Sequence, residues 1–175
     1  MAELWDAYDA QMNPTGQTLV RGEPVPPGLH HLVVGILVRH RDGSTLVMQR
    51  DWAKKGFPGK WEASASGAVL QGETALQDAL RELQEETGLA ADRLTPLFTA
   101  KGTGRSSHTF YAAFVCHTDA SKDSVRLQAG ETIAYQWLGR EAFEAFRKTP
   151  DYVCAQRERW ERYFAGTQEV QDAAG

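Results

Sequence analysis

Residues 67–89 read GAVLQGETALQDALRELQEETGL. Within this stretch Leu76, Ala79, Leu80, Leu83 and Thr87 recur at three- and four-residue steps, which predicts a helix over 74–87 with one apolar stripe. Gly88 follows where a glycine is expected just past a helix end. The back of the helix is acidic. Asp78, Glu82 and Glu86 are spaced i, i+4, i+8, so their carboxylates stack along one face, and Glu85 borders it. Arg81 is the only nearby opposite charge on the helix.

That face is unfavourable as a free helix surface. Like charges at i, i+4 destabilise a helix by a few tenths of a kcal/mol per pair, roughly. Acids at the C-terminal end also oppose the helix dipole. A hard divalent cation would offset the repulsion, because Mg²⁺ prefers carboxylate oxygens and bridges to substrate phosphates. The spacing alone leaves two readings open: a metal-binding face and a solvated acidic face.

Working outward, HLVVGILV at 31–38 is continuously apolar and reads as a strand buried on both faces. The turn Arg41-Asp42-Gly43-Ser44 and a second strand, TLVMQR at 45–50, follow it. Residues 51–60, DWAKKGFPGK, form a basic loop, and a further strand is expected near 61–69. Later strands are predicted at about 94–100, 107–117 and 132–138, and helices at about 140–148 and 151–164, broken by Thr149-Pro150. Upstream, 3–9 and 17–22 read as short extended pieces around a turn at Asn13-Pro14-Thr15-Gly16, with a proline-rich connector to residue 28. The tail from Gly166 is expected to fray. The pattern predicts an α+β fold, a mixed sheet packed by helices, in a single domain over 1–175.

The chain has 175 residues, with 19 Lys+Arg against 23 Asp+Glu, a net charge of −4. A mildly acidic chain argues against a nucleic-acid backbone binder, which needs a basic face. Two cysteines are too few for a disulfide framework. The longest apolar run, Leu32 to Val38, has seven residues, against the roughly 20 that a membrane helix needs. With no leader pattern at the N-terminus, the expectation is a soluble cytoplasmic protein without a membrane partner.

Gly67, Glu73, Arg81, Glu82, Leu83, Gln84, Glu85, Glu86, Thr87, Gly88 and Leu89 resemble the Nudix box of the Nudix hydrolases at every defining position. The resemblance implies a strand–loop–helix motif in an α/β/α sandwich. It implies hydrolysis of a nucleoside diphosphate linked to another group, with Mg²⁺ or Mn²⁺. By position, Glu82, Glu85 and Glu86 match the metal-binding glutamates, and Glu85 or Glu86 could double as the base. Arg81 matches the arginine that orients them, Glu73 the supporting glutamate of the loop, and Gly67 a backbone carbonyl offered to metal. Many relatives pair, so a homodimer is a further expectation.

Beyond the box, ELWDAYD, GLHHLVVGILV, QRDWAKKGFPGKWEASASG and ETIAYQWLGREAF resemble the branch that contains type I isopentenyl-diphosphate isomerase and its hydrolase-like relatives. That isomerase needs a cysteine, followed after a glycine by a metal-binding histidine, before the box helix. Ser66 and Ala68 stand at those places. One isomerase ligand is matched by His31, and the box is intact, so hydrolase is favoured over isomerase. A non-catalytic nucleotide-binding domain would usually lose box glutamates, and all remain.

Other residues carry weaker signals. Arg50, Lys54, Lys55, Lys101 and Arg105 could grip phosphates, with Arg50 and Lys55 taken as substrate-binding. His30 and His31 are neighbours on a strand and point to opposite faces, so structural roles are expected. His108 is expected at a strand mouth on the surface. Trp52 and Phe57 could stack on a base, Trp61 reads as a packing anchor, and Glu131 could be an extra metal ligand or base.

Overall fold

A computed structural model describes residues 2–104, 107–154, 156 and 160–161. Among the described residues, nine strands and two α-helices form; seven strands make one mixed sheet and two make a separate hairpin. The hairpin comprises β1 (Leu4–Tyr8) and β2 (Pro14–Val20); β3 (His31–His40), β4 (Thr45–Arg50), β5 (Trp61–Ala63) and β6 (Ala65–Ala68) follow. Helix α1 spans Ala75–Thr87, then come β7 (Thr95–Lys101), β8 (Thr109–Thr118), β9 (Thr132–Leu138) and α2 (Arg140–Phe146).

The main sheet runs β5-β4-β3-β8-β7, with β6 added to β3 and β9 to β4. Among the described strands, β3 and β8 alone form a parallel ladder, from His31 opposite Thr109 to His40 opposite Thr118. Side-chain alternation on these central strands builds two cores. Val34, Ile36 and Val38 of β3 and Phe110, Ala112 and Phe114 of β8 pack with Ala79 and Leu83 of α1. Leu37, Tyr111, Ala113 and Val115 face the other way, against Phe143 of α2 and Trp160. The result is the expected α/β/α sandwich.

Helix α1 forms where its sequence pattern places it. The Thr74 hydroxyl and Gln77 side chain make a capping box, and Gly88 closes the helix at φ 71°. The apolar stripe is narrower than the spacing suggests. Leu76 is 42% exposed, while Asp78 and Glu86 are buried together with Ala79, Leu83 and Thr87. The acidic side is turned into the protein rather than out to water.

Three local expectations change. The single strand near 61–69 is two, because Ser64 takes φ 30°; its hydroxyl donates to the Leu46 carbonyl and accepts from the Val38 N–H. The N-terminal turn lies at Asp9–Asn13, not 13–16. The Asp9 carboxylate accepts from the Gln11 and Asn13 backbone, and Pro14 already begins β2, where a missing N–H costs little. The first of the closing helices ends at Phe146. Half of the expected 151–164 helix and the whole tail from Gly166 lie outside the described residues.

Candidate active site

The loop from β6 into α1 is clamped from outside by the N-terminal hairpin. Gly72 N–H donates to Asp6 at 2.9 Å, Gln71 N–H to the Leu4 carbonyl at 2.8 Å, and the Gln71 side chain to Thr18 at 2.7 Å. Trp5 of β1 stacks on His31 with ring centroids 4.3 Å apart. These contacts fix β6 and the start of α1 beside a cleft of about 380 Å³. Gly67, Glu82, Glu85, Glu86 and Arg81 line one side of it, and Arg50, Lys54 and Glu131 are also in its lining.

Arg81 is the centre of the acidic group. Its Nη1 donates to Glu82 at 2.9 Å and to Glu85 at 3.2 Å. Its Nε and Nη2 reach Glu73 at 3.4 Å, and Nη2 also bonds to Asp78. One planar guanidinium thus meets four carboxylates, a use of its fork that lysine could not reproduce. Burial is the largest influence on Asp78 and raises its pKa to about 7, with Arg81 opposing.

Glu86 has no such partner. It is 6% exposed, and its carboxylate accepts from the Ser66 N–H at 3.1 Å. Burial, then the charges of Glu62 and Glu82, push its pKa well above the ordinary carboxylate range. Glu82 is raised as well, again first by burial, with Arg81 pulling against it. A cation would relieve both.

Gly67 meets Glu82 directly. A Cβ on residue 67 would overlap the Glu82 carboxylate and lie 2.6 Å from its Cγ, so any side chain here would force Glu82 to move. Among the described residues no three His, Cys, Asp or Glu side chains stand as a ready-made ligand set. Glu82 and Glu85 instead face Arg81. The donors are nonetheless the hard oxygens that Mg²⁺ prefers, and Glu85 is the most exposed of them.

The other sequence candidates separate. Arg50 and Lys54 line the cleft; Lys55 is exposed and does not. Of these two neighbouring lysines, only Lys54 is in the cleft lining. Lys54 pairs with Glu131 across the cleft. His31 is held neutral by burial, its pKa lowered to about 4, while His30 packs on Phe110 on the opposite face. His108 is exposed. Trp61 packs edge-on against Phe146, Trp52 and Phe57 are exposed outside the cleft lining, Lys101 is exposed, and Arg105 lies outside the described residues. Sequence reading missed Glu62, a buried carboxylate beside Glu86, although an acid in the β5 pattern was its available signal. No pattern pointed to Gln156, which bonds to Glu62 from 94 residues away.

A family model for the NUDIX domain matches residues 29–156. The chain is 33% identical over 156 residues to an uncharacterised Nudix hydrolase of Listeria monocytogenes, covering 86% of this chain and 88% of that one. It is 29% identical to an isopentenyl-diphosphate Delta-isomerase of Citrobacter koseri, over 76% of this chain and 75% of the other. The fold is similar to the crystal structure of DR0079 from Deinococcus radiodurans, with a TM-score of 0.67, 22% identity, and coverage of 86% and 92%.

Proposed function

The chain belongs to the Nudix family, and from that premise we propose that it is a metal-dependent pyrophosphohydrolase acting on the diphosphate linkage of a nucleoside diphosphate derivative. The observation that carries this is the cleft itself. Glu82, Glu85 and Glu86 lie with Arg81 in the same cavity as three further cations, Arg21, Arg50 and Lys54.

In this reading Glu82, Glu85 and Glu86, with the Gly67 carbonyl, hold Mg²⁺ or Mn²⁺. When bound, the ion neutralises diphosphate oxygens and acidifies a water. Glu85 or Glu86 takes the proton from the attacking water. Arg81 keeps Glu82 and Glu85 in place, and Glu73 braces Arg81. Arg50 and Lys54, rather than Lys55, bind phosphate oxygens. Attack in line at phosphorus needs no covalent intermediate, so positioning and charge supply the acceleration.

The isomerase relative raises a second reading, which the cleft disfavours. Ser66 and Ala68 both line it, and neither supplies a thiol or an imidazole. No described helix is long and apolar enough to cross a membrane, and the substrate is taken to be a small molecule in solution.

The test is a panel of nucleoside triphosphates, nucleotide sugars, dinucleotides and isopentenyl diphosphate, assayed with Mg²⁺ and with chelator. Metal-dependent release of phosphate or nucleoside monophosphate from some member supports the proposal. Turnover of none refutes it.

A further inference from the structure

Glu62 is 4% exposed and its carboxylate is held from two sides. Arg50 Nη1 donates to one oxygen at 2.5 Å, and Gln156 Nε2 donates to the other at 2.7 Å. Gln156 is itself buried, and its side-chain oxygen accepts from the Ala63 N–H at 2.8 Å. Arg50 is tied a second time, through Nε to the Gly56 carbonyl at 2.9 Å. These bonds fix the guanidinium plane. They leave Nη2, which has no hydrogen-bond partner among the described residues, on a side chain that lines the cleft.

We propose that Gln156 is a positioning residue: through Glu62 it orients Arg50 toward the diphosphate of the substrate. The proposal rests on the diphosphate reading above. Its physical basis is the shared hold on the buried Glu62 carboxylate, which Arg50 and Gln156 grip at its two different oxygens. Ser66 Oγ, at 3.5 Å, is too long a contact to hold the Glu62 carboxylate alone. Removing the Gln156 donor leaves a buried acceptor short of a partner, which costs more than the bond itself contributes. The carboxylate then turns away from its present geometry, and Arg50 loses its fixed acceptor. A segment distant in sequence thereby sets the binding of substrate without touching it.

Gln156→Glu tests this while keeping side-chain length and an acceptor for Ala63. KM for the diphosphate substrate should rise about tenfold, with kcat within about twofold of wild type. Glu62→Gln should do the same. The double variant Arg50→Ala/Gln156→Glu should bind no worse than Arg50→Ala, because the two act along one chain of contacts. Additive losses would overturn the proposal, since a merely structural role adds.

A readout independent of activity is the Arg50 Nη1–H signal, the proton donated to Glu62, in a low-temperature proton–nitrogen NMR spectrum, assigned by its absence in Arg50→Lys. It should weaken or vanish in Gln156→Glu while the backbone spectrum persists. An unchanged Arg50 signal in a folded variant would overturn the proposal. Gln156→Met, unbranched and without the donor, serves if the glutamate variant does not fold. If the wild-type protein hydrolyses no diphosphate, the functional reading falls, and the NMR comparison still decides whether Gln156 orients Arg50.

Discussion

Glu82 occupies the space that any side chain at position 67 would need: a Cβ there would stand 2.6 Å from the Glu82 Cγ and overlap its carboxylate. Strand β6 and helix α1 are therefore locked at the point where the proposed ligands converge. Gly67→Ala should push the Glu82 side chain off its present position. The expected effect is a fall in kcat/KM of about 100-fold, the scale of a misplacement near 1 Å. Overpacking should also cost about 1–3 kcal/mol of stability. Steady-state kinetics and thermal melts check both.

Burial raises the Glu86 pKa, so the sign of its pH effect is fixed. A carboxylate raised in the folded state contributes stability below its unfolded pKa, and that contribution is lost as pH rises through the folded value. The metal-free protein should therefore weaken between the acidic range and neutrality. Asp78, raised to about 7, acts with the same sign. Glu86→Gln should raise the metal-free Tm at neutral pH by about 2–4 °C and flatten its pH dependence. Calorimetric scans across pH measure this, and Mg²⁺ should raise the wild-type Tm far more than the variant's.

Arg81 meets Glu73, Asp78, Glu82 and Glu85 at once. Arg81→Lys keeps the charge but offers no planar fork. Activity should fall about 100-fold, well beyond any change in Tm. A lysine variant with wild-type kinetics would reduce Arg81 to a counter-charge.

Much of this was legible in residues 67–89. The helix, its cap and the acid spacing are local features, and local periodicity shows them directly. Burial of Asp78 and Glu86 was not legible, because polar residues at those positions read as a solvated face until the sheet is placed against them. The break at Ser64 escaped because a serine at positive φ has no composition signal. Lys54 and Lys55 could not be told apart in a loop without periodicity. Gln156 was invisible because its partner lies across the fold.

Ser66 and Ala68 make a separate prediction about chemistry. A serine hydroxyl is a far poorer proton donor or acceptor near neutral pH than a thiol, and alanine ligates nothing. With Mg²⁺ and isopentenyl diphosphate, the protein should form no dimethylallyl isomer. Chromatography resolved by mass after an acid-free quench detects it. Enzyme-dependent isomer would overturn the assignment of these two positions.

The central claim is water attack at phosphorus under the control of the α1 glutamates. The direct measurement is turnover of the best panel substrate in oxygen-18-labelled water, with wild-type protein and with folded Glu86→Gln. One labelled oxygen is expected in the phosphate or monophosphate product, with turnover about 1,000-fold slower in the variant. Products without label in phosphate, or a folded variant as fast as wild type, would contradict it.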